Sequence, residues 1–67
     1  MPRRNELIDL SGDIVTQTDK AILFEFDGAE FWLPKSMVEF EMDRTGAETG
    51  PATIMLPERF AIEKGLV

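Results

Sequence analysis

Ala21 to Leu33, AILFEFDGAEFWL, reads as a β-hairpin with one wholly apolar face. Asp27-Gly28 at its centre favours a two-residue type I′ turn, in which both central residues need positive φ. That turn sets the register: Phe26 opposite Ala29, Glu25 opposite Glu30, Phe24 opposite Phe31, Leu23 opposite Trp32, and Ile22 opposite Leu33. Side chains alternate across a strand, so Ile22, Phe24, Phe26, Ala29, Phe31 and Leu33 share one face. Leu23, Glu25, Glu30 and Trp32 share the other.

Upstream, residues 7–18 are strand-like, with Ile14, Val15, Thr16 and Thr18 supplying β-branched side chains. Gly12 interrupts this run and reads as a bulge or bend. Thr18-Asp19-Lys20 connects into the hairpin, whose strands run over about 20–26 and 29–33. Pro34 cannot donate to a ladder, so the third strand ends or turns there. Residues 36–42 alternate again, with Val38, Phe40 and Met42 on one face and Glu39 and Glu41 on the other. Residues 43–51, DRTGAETGP, hold two glycines and a proline and form the clearest loop, expected to be the most mobile part of the chain. A fifth strand follows at 52–56.

From Pro57 the period changes to helical. Pro57 suits the first helical position, Glu58 the positive helix start, Lys64 the negative end and Gly65 the C′ position. Leu56 then falls at the N-cap, where it offers no side-chain acceptor. A helix of about two turns over 57–64 does not survive alone, so it must dock on the sheet. The expected fold is mainly β, a small five-stranded bent antiparallel sheet or an SH3-like or OB-like partial barrel with a short C-terminal helix. Residues 1–6 read as a flexible tail and 7–67 as one small domain.

At 67 residues there is no room for a second core, and a chain this short buries only about 60% of its unfolded surface. With no cysteine and no histidine, disulfides, thiol catalysis and the common zinc sites are excluded. A small domain without staples fits a reducing cytoplasm, and no apolar run serves as a signal peptide or membrane span. Thirteen acidic residues against seven basic ones give a net charge of −6, which argues against phosphate tracking and for docking on a basic surface. Arg3, Arg4 and Arg44 are too few to reverse that balance. Lys35-Ser36 read as a turn after Pro34, and as strand neighbours they would point to opposite faces, so no nucleophile–base pair arises there.

Two features of the surface stand out. Glu25 and Glu30 repel across the hairpin, and Glu39 with Glu41 form a second acidic row if their strand lies alongside. These carboxylates read as a protein-docking strip, as a hard-cation site without calcium-loop spacing, or as a solvated face offset by Lys20 or Arg59. Trp32 and Leu23 point away from the core face. Either a second cluster with Phe60 and Ile62 beneath the helix covers them, or Trp32 is an exposed anchor for a partner.

The segment KAILFEFDGAEFWLPKS and the tail PERFAIEKGL resemble a group of small phage-, prophage- and plasmid-encoded proteins without an assigned activity. That group pairs a KAIL-x-x-x-D/E-G-x-x-x-W-x-PKS segment with a PE-x-x-A-x-x-KGL tail. The matching residues are Lys20 to Leu23, Gly28, Trp32, Pro34 to Ser36, Pro57, Glu58, Ala61 and Lys64 to Leu66. Phe60 stands where the group's tail is expected to hold tryptophan. The resemblance implies a mobile-element gene product, and small acidic phage proteins often act by occluding a host enzyme, such as a CRISPR or restriction complex.

The function expected from these readings is a non-enzymatic, cytoplasmic binding module without cofactor or metal. It docks on a protein partner, a host or phage enzyme, through Glu25, Glu30, Glu39, Glu41, Leu23 and Trp32. The alternative is an accessory single-stranded nucleic-acid binder that stacks bases on Trp32. The chain is expected to be a monomer, or a homodimer through an exposed edge strand such as residues 7–18.

Overall fold

The computed structural model describes residues 6–67. The expected tail falls almost wholly on residues 1–5, which lie outside the described residues, as do Arg3 and Arg4. Five strands and one helix follow: β1 (Leu7–Gln17), β2 (Ala21–Phe26), β3 (Ala29–Pro34), β4 (Glu39–Met42), β5 (Gly50–Pro57) and α1 (Glu58–Lys64). All strand pairs are antiparallel, in the order β3-β2-β1-β5-β4.

The hairpin forms in the register its turn dictates, with all five pairings from Phe26–Ala29 to Ile22–Leu33 in place and Ala21 opposite Pro34 beyond them. Asp27 (φ 55°) and Gly28 (φ 81°) both take the left-handed conformation that a type I′ turn demands. Burial is deepest away from the turn. Ile22, Phe24 and Leu33 are fully buried, Phe26 and Phe31 half-buried, and Ala29 exposed. The hairpin tip therefore overhangs the core, consistent with a molecule 38 Å long and 21 Å wide.

Of the two expected forms, the bent open sheet and the partial barrel, the chain takes the open sheet. Residues β1 and β5, far apart in sequence, pair along eight positions from Leu7–Pro57 to Ile14–Gly50. No ladder joins β3 to β4 among the described residues, so these two strands are the edges. This corrects the expectation of an edge at residues 7–18: β1 is the central strand, hydrogen-bonded on both sides, and cannot pair two copies. The reason is length, since only an eleven-residue strand can serve β2 with one half and β5 with the whole of its first eight residues.

The irregularity in β1 falls at Val15, where the register with β2 slips between Ile14–Phe24 and Thr16–Leu23. Gly12, expected as the bulge, instead sits in regular pairing with Ala52. Its role is steric. A Cβ there would overlap the backbone carbonyl oxygen of Glu25 and stand 2.7 Å from Cζ of Phe24. The Phe24 ring thus fills the side-chain space of Gly12, and it stacks on Phe26 at 6.0 Å between ring centroids.

β4 begins at Glu39, later than alternation suggests. Met37 N–H bonds to the Pro34 carbonyl (3.0 Å), closing a turn over 35–37, and Val38 enters the core without belonging to a strand. The 43–49 loop is tethered: Gln17 Nε2 donates to the Glu48 carbonyl at 2.7 Å, and Asp43 N–H to that of Pro51 at 3.0 Å.

β5 runs one residue past its expected end at Leu56, because Pro57 is still extended (ψ 136°) and pairs with Leu7. Pro57 rather than Leu56 is the N-cap. It makes no side-chain cap bond, and Glu58 N–H finds its acceptor in the Glu6 carbonyl at 2.8 Å. At the other end Gly65 is left-handed (φ 82°), with Gly65 N–H bonded to Ile62 and Leu66 N–H to Ala61. This is a Schellman closure, and its hydrophobic partners Ala61 and Leu66 are both buried. The helix thereby folds across the inner face of the sheet, where Ala61 and Leu66 join Ile22, Leu33, Val38, Ile54 and Leu56 in one core.

Candidate functional site

The outer face of the sheet holds every candidate residue. None of the five strands contains a lysine or an arginine. Their carboxylates are Asp9, Asp13, Glu25, Glu30, Glu39 and Glu41, all exposed and all at outward positions of the alternation. Glu25 faces Glu30 across the hairpin and Asp13 across the β1–β2 ladder. One row of three carboxylates therefore crosses three adjacent strands.

Alternation from the type I′ turn makes Glu25–Glu30 a non-hydrogen-bonded pair, the closer kind, with Cα atoms about 4.5 Å apart. Asp13–Glu25 is the hydrogen-bonded kind, about 5.5 Å apart. Asp13 joins the row only through the β1–β2 ladder, although Asp9, Ser11 and Asp13 alternate with Ile8, Leu10, Gly12 and Ile14, and that signal points them outward.

Glu39 and Glu41 lie on the same face but not beside the hairpin. Their strand is the far edge, with Glu39 opposite Met55 and Glu41 opposite Thr53, so β5 and β1 separate them from Glu25. They extend the acidic face instead of forming a second row alongside. No ion pair offsets it among the described residues. Arg59 Nε pairs with Glu63 on its own helix, at 3.8 Å. Lys20 and Lys35 stand at the hairpin's open end, where Lys35 N–H bonds to the Lys20 carbonyl at 2.7 Å. The face does not converge on a point, and no group of three carboxylates among the described residues is arranged to hold a metal ion.

Trp32 is exposed at 50%, beside half-buried Leu23 on the row next to the carboxylates. The expected cluster beneath the helix does not form around it. Phe60 packs against the main core, and Ile62 is 54% exposed. The physical reason is the direction in which β5 delivers the chain: Leu56 points inward, so the following helix covers the inner face and leaves Trp32 on the outer one.

Two measurements check this placement. Trp32 emission should lie at the long wavelength of a hydrated indole and be readily quenched by acrylamide. Trp32→Ala should lower stability by only about 1 kcal/mol, well short of the 3–5 kcal/mol of a buried aromatic.

A shallow groove of about 250 Å³ lies beside the helix, lined by Met37, Pro57, Arg59, Phe60 and Glu63. It is open and smaller than the roughly 300–1,000 Å³ of a small-molecule site. No protein family, curated protein or solved structure matches the chain.

Proposed function

We propose that this is a non-enzymatic binding module that docks its acidic outer face on a basic protein surface. The observation that carries the reading is the sorting of charge. Five strands supply six exposed carboxylates to one face and no cation, although like charges set side by side destabilise the sheet. Such a face complements the positive grooves with which nucleic-acid enzymes hold phosphates. Trp32, half-exposed at the margin, supplies the large apolar anchor that charge alone lacks. The resemblance of the Lys20–Ser36 and Pro57–Leu66 segments to mobile-element proteins supports a host or phage enzyme as the partner, a CRISPR or restriction complex among them.

The single-strand binding alternative lacks comparable support, because the strands offer no lysine or arginine to a phosphate backbone. The test has two arms. Affinity capture from the native host should retain a nucleic-acid enzyme that high salt or added duplex DNA releases. Titration of single-stranded oligonucleotide at low salt should leave Trp32 emission unchanged. Quenching by the oligonucleotide, together with no DNA-releasable partner, would reverse the assignment.

A further inference from the structure

We infer that the free edge of β3 takes an extended segment of the partner as a sixth strand, one that alternates basic and apolar residues. The inference rests on the docking reading above and specifies how the contact is made.

The turn geometry decides which backbone groups are free. In a two-residue hairpin the residues flanking the turn, Phe26 and Ala29, form a hydrogen-bonded pair, and every second pair repeats it. The bond from Lys35 N–H to the Lys20 carbonyl continues the same phase beyond the strands. Ala29, Phe31 and Leu33 thus spend their N–H and C=O groups on β2. Those of Glu30 and Trp32 point away from the sheet, where no strand pairs with them among the described residues. Pro34 has no N–H, and its carbonyl accepts from Met37 at 3.0 Å, so the frame closes at that end. The Asp27-Gly28 turn closes the other.

An unpaired edge is a template for any strand, and the side chains on it select one. Residues opposite Glu30 and Trp32 would lie on the outer face. A lysine or arginine opposite Glu30 extends the Asp13–Glu25–Glu30 row with the charge it lacks, and one opposite Trp32 can lie over the indole. Residues opposite Ala29 and Phe31 would lie on the inner face, where exposed Ala29 and half-buried Phe31 favour apolar cover. A second copy of this chain does not meet that specification, because its strands carry no cation to set against Glu30. The β4 edge is the poorer template, with four residues against six.

The probe is a blocked peptide of alternating arginine and valine, compared with an isomer of the same composition in which the arginines form one block. A third peptide carries N-methyl groups at alternate amides, so that it cannot donate along one edge. Amide exchange is read by NMR on the intact protein. The alternating peptide should slow exchange at Glu30 and Trp32 by about tenfold or more, and the other two peptides should not. Equal protection by the block isomer, or binding that protects no β3 amide, overturns strand addition. So does protection of both amides in a dimer without peptide, or no binding at all.

The docking reading is judged separately by Glu25→Lys, which leaves the edge backbone intact. If that variant abolishes host-partner capture while no edge amide is protected by the peptides, the acidic face stands and strand addition falls. If the alternating peptide protects the edge but Glu25→Lys leaves host-partner capture intact, the reverse holds for the charge reading.

Discussion

Gly12→Ala is expected to destabilise the domain by about 3 kcal/mol, the upper end of ordinary overpacking costs. The new methyl group has two obstacles, the backbone carbonyl oxygen of Glu25 and the Phe24 ring at 2.7 Å from Cζ and 3.0 Å from Cε1. Neither gives way cheaply. Glu25 is held in ladders on both sides, opposite Asp13 and Glu30, and Phe24 is fully buried against the core. A domain of this size has only about 3–10 kcal/mol of stability in total. The loss should therefore appear as a melting temperature lowered by roughly 12–24 °C, or as a chain largely unfolded at room temperature. Phe24→Leu in the same chain removes the ring edge but not the carbonyl. The pair should fall short of additivity by about 1 kcal/mol. A cost below about 1 kcal/mol for Gly12→Ala, read from the urea midpoint, would contradict the close approach of β1 and β2.

Glu25→Lys is expected to move stability and binding in opposite directions. Glu25 stands between Asp13 and Glu30, so one substitution turns two like-charge pairs into two opposite ones. At low salt the gain should be roughly 1 kcal/mol, discounted for exposure and shrinking as salt screens the row. The same lysine places a cation at the centre of the proposed docking face. Affinity for the captured partner should fall at least about tenfold, with most of the loss vanishing at high salt. A solvated face without a partner would show the first effect and not the second. Urea midpoints at two ionic strengths, with calorimetric titration of the partner, separate the two cases.

Much of the fold was legible because its decisive elements are local. The type I′ turn at Asp27-Gly28 needs no distant residue, and five pairings follow from it. The Schellman closure at Gly65 was legible for the same reason, as a glycine just past the last helical cation. Boundaries depending on a distant partner were not legible. Pro57 stays in β5 because Leu7 lies opposite, and β4 starts at Glu39 because the ladder with β5 begins there, opposite Met55. Glycine is the usual marker of a bulge and points to Gly12, yet Val15 carries it, at the point where β1 adjusts between two neighbours.

Sequence alone determined which side chains face which way, since alternation in a strand is a property of the backbone. That placed Glu25, Glu30, Leu23 and Trp32 together on one side of the hairpin. Only the tertiary structure decided what lies beside them. The pairing of β1 with β2 put Asp13 next to Glu25, and that of β1 with β5 moved Glu39 and Glu41 to the far edge and left the outer edge of β3 free. It also sent the helix across the inner face, leaving Trp32 exposed. Strand order is a contest among whole ladders and buried faces, and no short segment contains the terms that settle it.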